Sequence, residues 1–227
     1  MIDKRVASLG DAVAGIKDGS TVLVGGFGLT GAPGNLLTAL LEAGPTDLTI
    51  VANNAGVGTT GLAALLAAGR VRKILCSYPR SSGSVVFEEL CQAGKIELEL
   101  VPQGTLSERI RAGGAGIGGF YTRVAVGTRL AEGREVRDID GVPHLFEYPI
   151  KGDVALIRAE RADRWGNLTY RLAARNFNPI MATAATLTVA EVATFVELGA
   201  LGPDEIMTPA IFVDRVVETG GSHAAAA

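Results

Sequence analysis

Asp18–Pro33 reads DGSTVLVGGFGLTGAP: an apolar run of strand length that ends in a glycine cluster and then meets a proline. Thr21 to Gly26 (TVLVGG) has the β-branched, apolar content of a buried strand. Glycines at 25, 26, 28 and 31 permit positive φ and leave backbone N–H groups unshielded. Pro33 suits the first turn of a helix over residues 34–43. A glycine loop between a strand and a helix N-terminus suits an anion or an oxyanion.

The same unit repeats outward from this stretch. LTIVAN (48–53) predicts a second strand, followed by an Asn/Gly turn and a helix over 62–68. KILCS (73–77) predicts a third strand and 85–93 a helix. IELELVP (96–102) predicts a fourth strand and 106–112 a helix. Strands and helices alternating at this spacing predict an α/β fold, a mostly parallel open sheet with helices on both faces. Residues 112–121 (AGGAGIGGFY) are too glycine-rich for an element interior and read as a loop or a close-approach segment. A hairpin follows, 135–139 and 144–148, turning at Asp140-Gly141. Further strands are expected at 154–159, 183–193 and 211–217, with a turn at 163–167. Residues 1–218 read as one domain, and 219–227, ending in GGSHAAAA, as a tail with nothing to pack. His223 falls in that tail and is set aside.

Composition narrows the function classes. In 227 residues, 48% are hydrophobic and only 5% aromatic, so core volume comes from Val, Leu, Ile and Ala, as in a buried parallel sheet. The net charge of −3, without a basic run, argues against a nucleic-acid partner. No apolar run approaches the roughly 20 residues that span a bilayer. No signal-peptide core precedes the first strand, so a cytoplasmic location is expected. Cys76 and Cys91 read as reduced thiols in apolar surroundings, and with His144 as the one internal histidine no metal site is expected.

Gly26 to Gly31 also fits the dinucleotide pattern G-x-G-x-x-G. That pattern needs an acidic residue at the end of the second strand, and Asn53 and Asn54 stand there instead. Asp47 lies at the wrong end of that strand. The residues therefore speak against ordinary nucleotide binding.

Asp18, Gly19, Val22–Phe27, Gly31 and Pro33 satisfy the first-subunit signature of the 3-oxoacid-type coenzyme A (CoA) transferases, which this chain resembles. The likeness extends to NNAG (53–56), to ELELVPQGTLSERIRAGGAGIGGFYT (97–122) and to RWGNLTYRLAARNFNPIMA (164–182), covering nearly all of the chain but its tail. CSYPRSSG (76–83) and DRWGNLTYR (163–171) resemble the 3-oxoadipate:succinyl-CoA branch more than the acetoacetate branch. The chain departs from the family at 122–128, reading TRVAVGT where relatives read T-P-T-G-Y-G-T.

The resemblance implies transfer of CoA between two carboxylic acids through a covalent glutamyl intermediate, in ping-pong form. It places that glutamate in a second subunit, so no catalytic residue is expected in this chain. Glu88, Glu89, Glu97, Glu99 and Glu108 read as solvated strand or helix residues. The expected partner is the second, glutamate-bearing subunit of a CoA-transferase, in a heterotetramer with two copies of each subunit. No permanently bound cofactor is expected, the CoA thioester being a substrate. The resemblance also points to Asn53, Asn54 and Gln103 as amides beside the reacting acyl group, each just after a strand. The loop residues Gly25, Gly26, Phe27, Gly28 and Gly31 would let substrate or the partner's loop approach closely. Arg80, Arg109 and Arg111 are candidates for the distal carboxylate of a dicarboxylic substrate, with Arg80 preferred. Three alternatives stay open: an acetoacetate-using transferase, a stand-alone sugar-phosphate isomerase, and a non-catalytic binding or regulatory subunit.

Overall fold

The computed structural model describes residues 2–80 and 83–220. Ser81 and Ser82 of the 76–83 segment, and residues 221–227 with His223, lie outside the described residues. The chain opens with α1 (Leu9–Val13) and β1 (Thr21–Val24). Then come α2 (Gly34–Ala43), β2 (Leu48–Val51), α3 (Leu62–Ala67), β3 (Val71–Cys76), α4 (Val85–Gln92), β4 (Glu97–Leu100) and α5 (Gln103–Gly114). A small antiparallel section holds β5 (Phe120–Thr122), β6 (Val136–Ile139) and β7 (Val142–Glu147). The chain closes with β8 (Gly152–Ala162), β9 (Leu168–Thr169), α6 (Asn178–Ala182), β10 (Ala185–Phe195) and β11 (Arg215–Glu218).

The large sheet runs β11-β10-β8-β1-β2-β3-β4. These seven strands are all parallel, and β9 adds an antiparallel ribbon to β8. The chain steps outward from β1 through β2, β3 and β4, then returns to the other side of β1 to build β8, β10 and β11. The strand order therefore reverses between β1 and β8, which makes the carboxyl ends of these two strands the natural crevice for a ligand. Alternation along β1 feeds two apolar layers. Val22 and Val24 join Leu36, Leu40, Ile50 and Leu65 on one face. Leu23 joins Leu106, Ile110, Ile157 and Met181 on the other. Both faces are covered by helices, as a parallel sheet requires.

Several expectations need correction. Pro33 caps α2 from outside rather than standing in its first turn. The helix expected at 106–112 starts at Gln103 and runs to Gly114. Its last glycines are therefore helical, because they pass close to other backbone: a Cβ on Gly113 would lie 1.9 Å from the Ile150 carbonyl oxygen. Phe120 and Tyr121, at the end of the same segment, belong to β5. The strand expected at 211–217 begins only at Arg215, after a 3-10 turn over Ala210–Phe212. Thr219 still donates from its backbone N and its hydroxyl to Val192, so ordered packing reaches past residue 218. The hairpin turns where expected, with Asp140 at φ 52° and Gly141 at φ 75°, as a two-residue reversal demands.

The small sheet is tied to the large one by charge. Glu147, 1% exposed, accepts from Arg134 at 2.6 Å and lies 3.7 Å from Arg109. Arg109 also pairs with Glu99 of the edge strand β4, and Glu99 with Lys73 of β3, both at 2.9 Å. Burial raises the Glu99 pKa, but the hydrogen bonds from Arg109 and Lys73 together hold it below the usual glutamate value. Arg109 is therefore a structural clamp rather than a substrate contact, and Arg111 pairs with Glu108 on the helix surface.

The departure at 122–128 has a visible cost. Within it Ala125, a residue with a Cβ, sits at φ 69°. A side chain in the left-handed region costs about 1–2 kcal/mol. Ala125→Gly should stabilise the chain by about 0.5–1 kcal/mol, after glycine's larger loss of entropy on folding. A urea titration with unchanged slope and a higher midpoint is the expected reading.

Candidate active site

The site grows from the end of β1. The Gly25 N–H donates to the Leu156 carbonyl at 2.9 Å, carrying the β1–β8 ladder one residue further. A Cβ on Gly25 would lie 1.9 Å from the side-chain oxygen of Asn178, so the residue must be glycine for Asn178 to stand where it does. Phe27 and Thr30 then exchange backbone hydrogen bonds at 3.0 and 3.1 Å, which makes Gly28 and Leu29 the tip of a tight reversal. The Phe27 and Leu29 side chains are half exposed at that tip.

Asn178 is fully buried and holds this loop from below. Its amide NH₂ donates to Gly31 O at 3.0 Å and Ala174 O at 2.8 Å, and its oxygen accepts from Arg158 N at 2.9 Å. The second loop holds the tip from the side. Asn54 donates to Gly28 O at 3.3 Å, and its oxygen accepts from Gly56 N at 2.8 Å. Asn53 is almost fully buried, and its carbonyl accepts the N–H groups of Ser77 and Tyr78. Its side-chain NH₂ donates to the Gln103 side-chain oxygen at 3.1 Å. Gln103 follows β4, as expected, and opens α5.

Three concavities surround the loop tip. The first, about 390 Å³, lies between β1, α2 and the Asn53-Asn54 turn, and it takes in Gly25, Gly26, Gly28, Leu29, Arg158 and Glu191. Its size suits a small acyl group or a short dicarboxylic acid. The second, about 430 Å³, is lined by Phe27, Gln103, Arg175 and Asn176. The third, about 500 Å³, is lined by Gly31, Arg158, Tyr170 and Arg171. The structure thus gathers Gly25, Gly26, Phe27, Gly28, Gly31, Asn53, Asn54 and Gln103 around one loop. It does not gather Arg80, which is exposed and lines none of the three.

Glu191 and Arg158 are the residues that sequence reasoning missed. Glu191 interrupts an otherwise uncharged strand, TVA-E-VA in β10, and Arg158 directly follows the apolar run VALI in β8; a charge so placed is the signal that could have found them. They are register partners on adjacent strands. The Glu191 carboxylate accepts from Leu36 N at 2.9 Å and Asn35 Nδ2 at 3.3 Å, capping the α2 N-terminus that Pro33 leaves without a side-chain cap. Burial pushes its pKa up, and the Leu36 N–H and the Arg158 charge only partly counter that. A carboxylate whose two oxygens are engaged in this way is a poor nucleophile. The glutamates weighed from the sequence line none of the three concavities. Burial pushes the Cys76 thiol up to about 12, which keeps it un-ionised. His144 bonds to its own strand through Val142 O, far from the loop in sequence and outside the site. Among the described residues no grouping of His, Cys, Asp and Glu could hold a metal ion, and no helix is long and apolar enough to cross a membrane.

The coenzyme A transferase family model matches residues 6–219. The chain belongs to the coenzyme A transferase family. It is 58% identical over 224 residues to the first subunit of the 3-oxoadipate CoA-transferase of Pseudomonas putida, covering 99% of this chain and 97% of that one. It is 54% identical over 227 residues to the protein of the same name in Acinetobacter baylyi, covering all of both. Among solved structures, the acyl-CoA transferase of Escherichia coli O157:H7, in a thioester complex with CoA, superposes with a TM-score of 0.86 at 23% identity. That match covers 98% of this chain and 50% of the other, so this chain spans half the length of that transferase. At this identity the match speaks for the fold alone. In a CoA transferase, a wall of amides and backbone N–H groups is suited to stabilising the oxyanions of acyl transfer.

Proposed function

We propose that the chain is the first subunit of a CoA transferase that moves CoA from succinyl-CoA to 3-oxoadipate, a dicarboxylic 3-oxoacid, with the nucleophilic glutamate supplied by the second subunit. The carrying observation is a crevice at the strand-order reversal walled by Asn53, Asn54 and the glycine loop, whose lining carboxylate, Glu191, is engaged by the start of α2. Near-full-length identity to the first subunits of two 3-oxoadipate CoA-transferases supports the acceptor.

The partner's carboxylate attacks the succinyl thioester carbonyl and expels CoA as a thiolate, forming a succinyl–glutamyl anhydride. The thiolate attacks the glutamyl carbonyl, succinate leaves, and a glutamyl–CoA thioester remains. The 3-oxoacid carboxylate then attacks this thioester, and the returning thiolate releases the new acyl-CoA and the free glutamate. Every step passes through a tetrahedral oxyanion. The Asn53 and Asn54 NH₂ groups, oriented by Gln103 and Gly28 O, stand ready as neutral donors to it. In this reading Phe27 and Leu29, half exposed at the tip, meet the partner subunit. Residues 1–218 act as one unit in an assembly with two copies of each subunit, and the enzyme works in the cytoplasm.

The test is an acceptor panel with the reconstituted two-subunit complex and succinyl-CoA as donor. The expected kcat/KM is highest for 3-oxoadipate. A higher value for acetoacetate would move the chain to the acetoacetate branch. Turnover of sugar phosphates by the isolated chain would reject the transferase reading.

A further inference from the structure

We infer that Ser77 is a positioning residue for the reaction: its hydroxyl, buried beneath the Asn53–Gln103 amide pair, takes over the Gln103 side-chain oxygen when the oxyanion draws on the Asn53 amide. This rests on the transferase reading above and adds a residue to its amide wall. The placement comes from the sheet. β2, β3 and β4 are neighbours in that order. Their registers share one offset: Val51 lies beside Leu75, Asn54 beside Tyr78, and Cys76 beside Leu100. The same offset sets Ser77 between Asn53 and Val101. The backbone agrees, with Ser77 N–H donating to Asn53 O at 3.1 Å and Val101 N–H to Cys76 O at 3.0 Å.

Val51, Leu75 and Val101 all enter the apolar layer that holds Leu106 and Ile110 of α5. Residues two apart along a strand share a face, so Asn53 and Ser77 turn to that side as well, where α5 begins. Asn53 and Gln103 follow strands that lie two apart, about 9–10 Å at ordinary strand spacing. The 3.1 Å bond between their side chains therefore crosses the end of β3, above Ser77. Ser77 Oγ is buried and has no hydrogen-bond partner among the described residues. Leaving a buried hydroxyl unmatched is costly, and alanine at this position would avoid the cost. Gln103 is exposed at the start of α5, and a single bond from Asn53 leaves its amide able to turn. An oxyanion that draws the Asn53 NH₂ towards itself lengthens that bond. The Gln103 oxygen then turns down to the Ser77 hydroxyl, which donates to it. The amide pair stays ordered, and the hydroxyl gains its bond only as charge develops, so the gain appears in the rate of the chemical steps.

The experiment uses the reconstituted complex carrying Ser77→Ala, with succinyl-CoA and whichever 3-oxoacid the wild-type complex turns over fastest. A wrong acceptor assignment therefore does not enter. The expected kcat is about 3- to 10-fold lower, the worth of one neutral hydrogen bond, with KM unchanged. The melting temperature of the complex should be unchanged or higher, because alanine removes no bond that the resting protein makes. In an Asn53→Ala background Ser77→Ala should cost nothing further, since Ser77 acts through the amide pair. An unchanged kcat, a loss confined to KM, or losses that multiply in the double variant would overturn the inference. So would a lower melting temperature or a failure to assemble, either of which would mean that the hydroxyl is already bonded in the resting protein. A wild-type complex without transferase activity would reject the reading beneath, and the melting temperature of Ser77→Ala would still decide whether the hydroxyl is matched at rest.

Discussion

Asn178→Ala should lower the melting temperature of the chain by on the order of 10 °C. The side chain is fully buried and makes its hydrogen bonds to backbone groups that have come from three places: Gly31 in the glycine loop, Ala174 before α6, and Arg158 in β8. Alanine leaves the Arg158 N–H and the Gly31 carbonyl without this partner and opens a small cavity. At about 1–3 kcal/mol for each unsatisfied buried group, the cost is about 3–5 kcal/mol. For a chain of this size each kcal/mol shifts the midpoint by about 2–4 °C. The mechanism also predicts a coupling. Gly25→Ala puts a Cβ 1.9 Å from the Asn178 oxygen. It should therefore be severe in the wild-type chain and milder when Asn178 is already alanine, and a double-mutant cycle by thermal or urea unfolding measures this directly. Strict additivity would show that the two residues do not meet as described.

Asn53→Asp should lower kcat/KM of the reconstituted complex by about 10²- to 10³-fold, the range found when one preorganised donor is removed from an oxyanion site. Asn53 is nearly the same size as aspartate and is 3% exposed, so the effect is chemical rather than steric. Its NH₂ now faces the Gln103 side-chain oxygen at 3.1 Å. An aspartate oxygen would face that oxygen with repulsion and turn the Gln103 amide round. It would also set a negative charge where the substrate carboxylate and the developing oxyanion must sit. Protonation of the new carboxyl group restores a donor, so the variant's activity should recover towards acid pH relative to wild type. A matched pH profile of both proteins reads this, and parallel profiles with equal loss at every pH would contradict it. Asn54 also holds the loop tip, through Gly28 O and Gly56 N, so Asn54→Asp should combine the loss of a donor with a loosened tip.

The parallel sheet was legible because apolar runs and glycine turns alternate with the period of βα units, and β1, β2, β3 and α2 lie within one or two residues of where the pattern puts them. The elements that were not legible are the short ones. α1 and α6 have five residues each and β9 has two, too few for a periodicity, and α6 is positioned by Asn178 rather than by propensity. Gly113 and Gly114 misled because glycine marks either a turn or a close approach, and only the neighbouring Ile150 and Thr183 decide which.

The site was half legible. The glycine loop and Asn53 carry local signatures, and the structure brings them together with Gln103 across 50 residues. Arg80 was chosen for its place after a strand, but β3 lies two strands away from the reversal point, too far out in the sheet. Arg158 and Glu191 become neighbours only through the β8–β10 register, which no single stretch of sequence displays. The same holds for the cap on α2, whose acceptor comes from a residue more than 150 positions away.

In the proposed mechanism this chain builds the acyl-binding wall and lends no nucleophile. Incubating the reconstituted complex with succinyl-CoA, without an acceptor acid, should accumulate a covalent glutamyl–CoA thioester. Mass spectrometry of the separated subunits should find the CoA adduct on a glutamate of the partner subunit and an unmodified mass for this chain. A CoA adduct on this chain, on Glu191 or any other carboxylate, would contradict that division of labour.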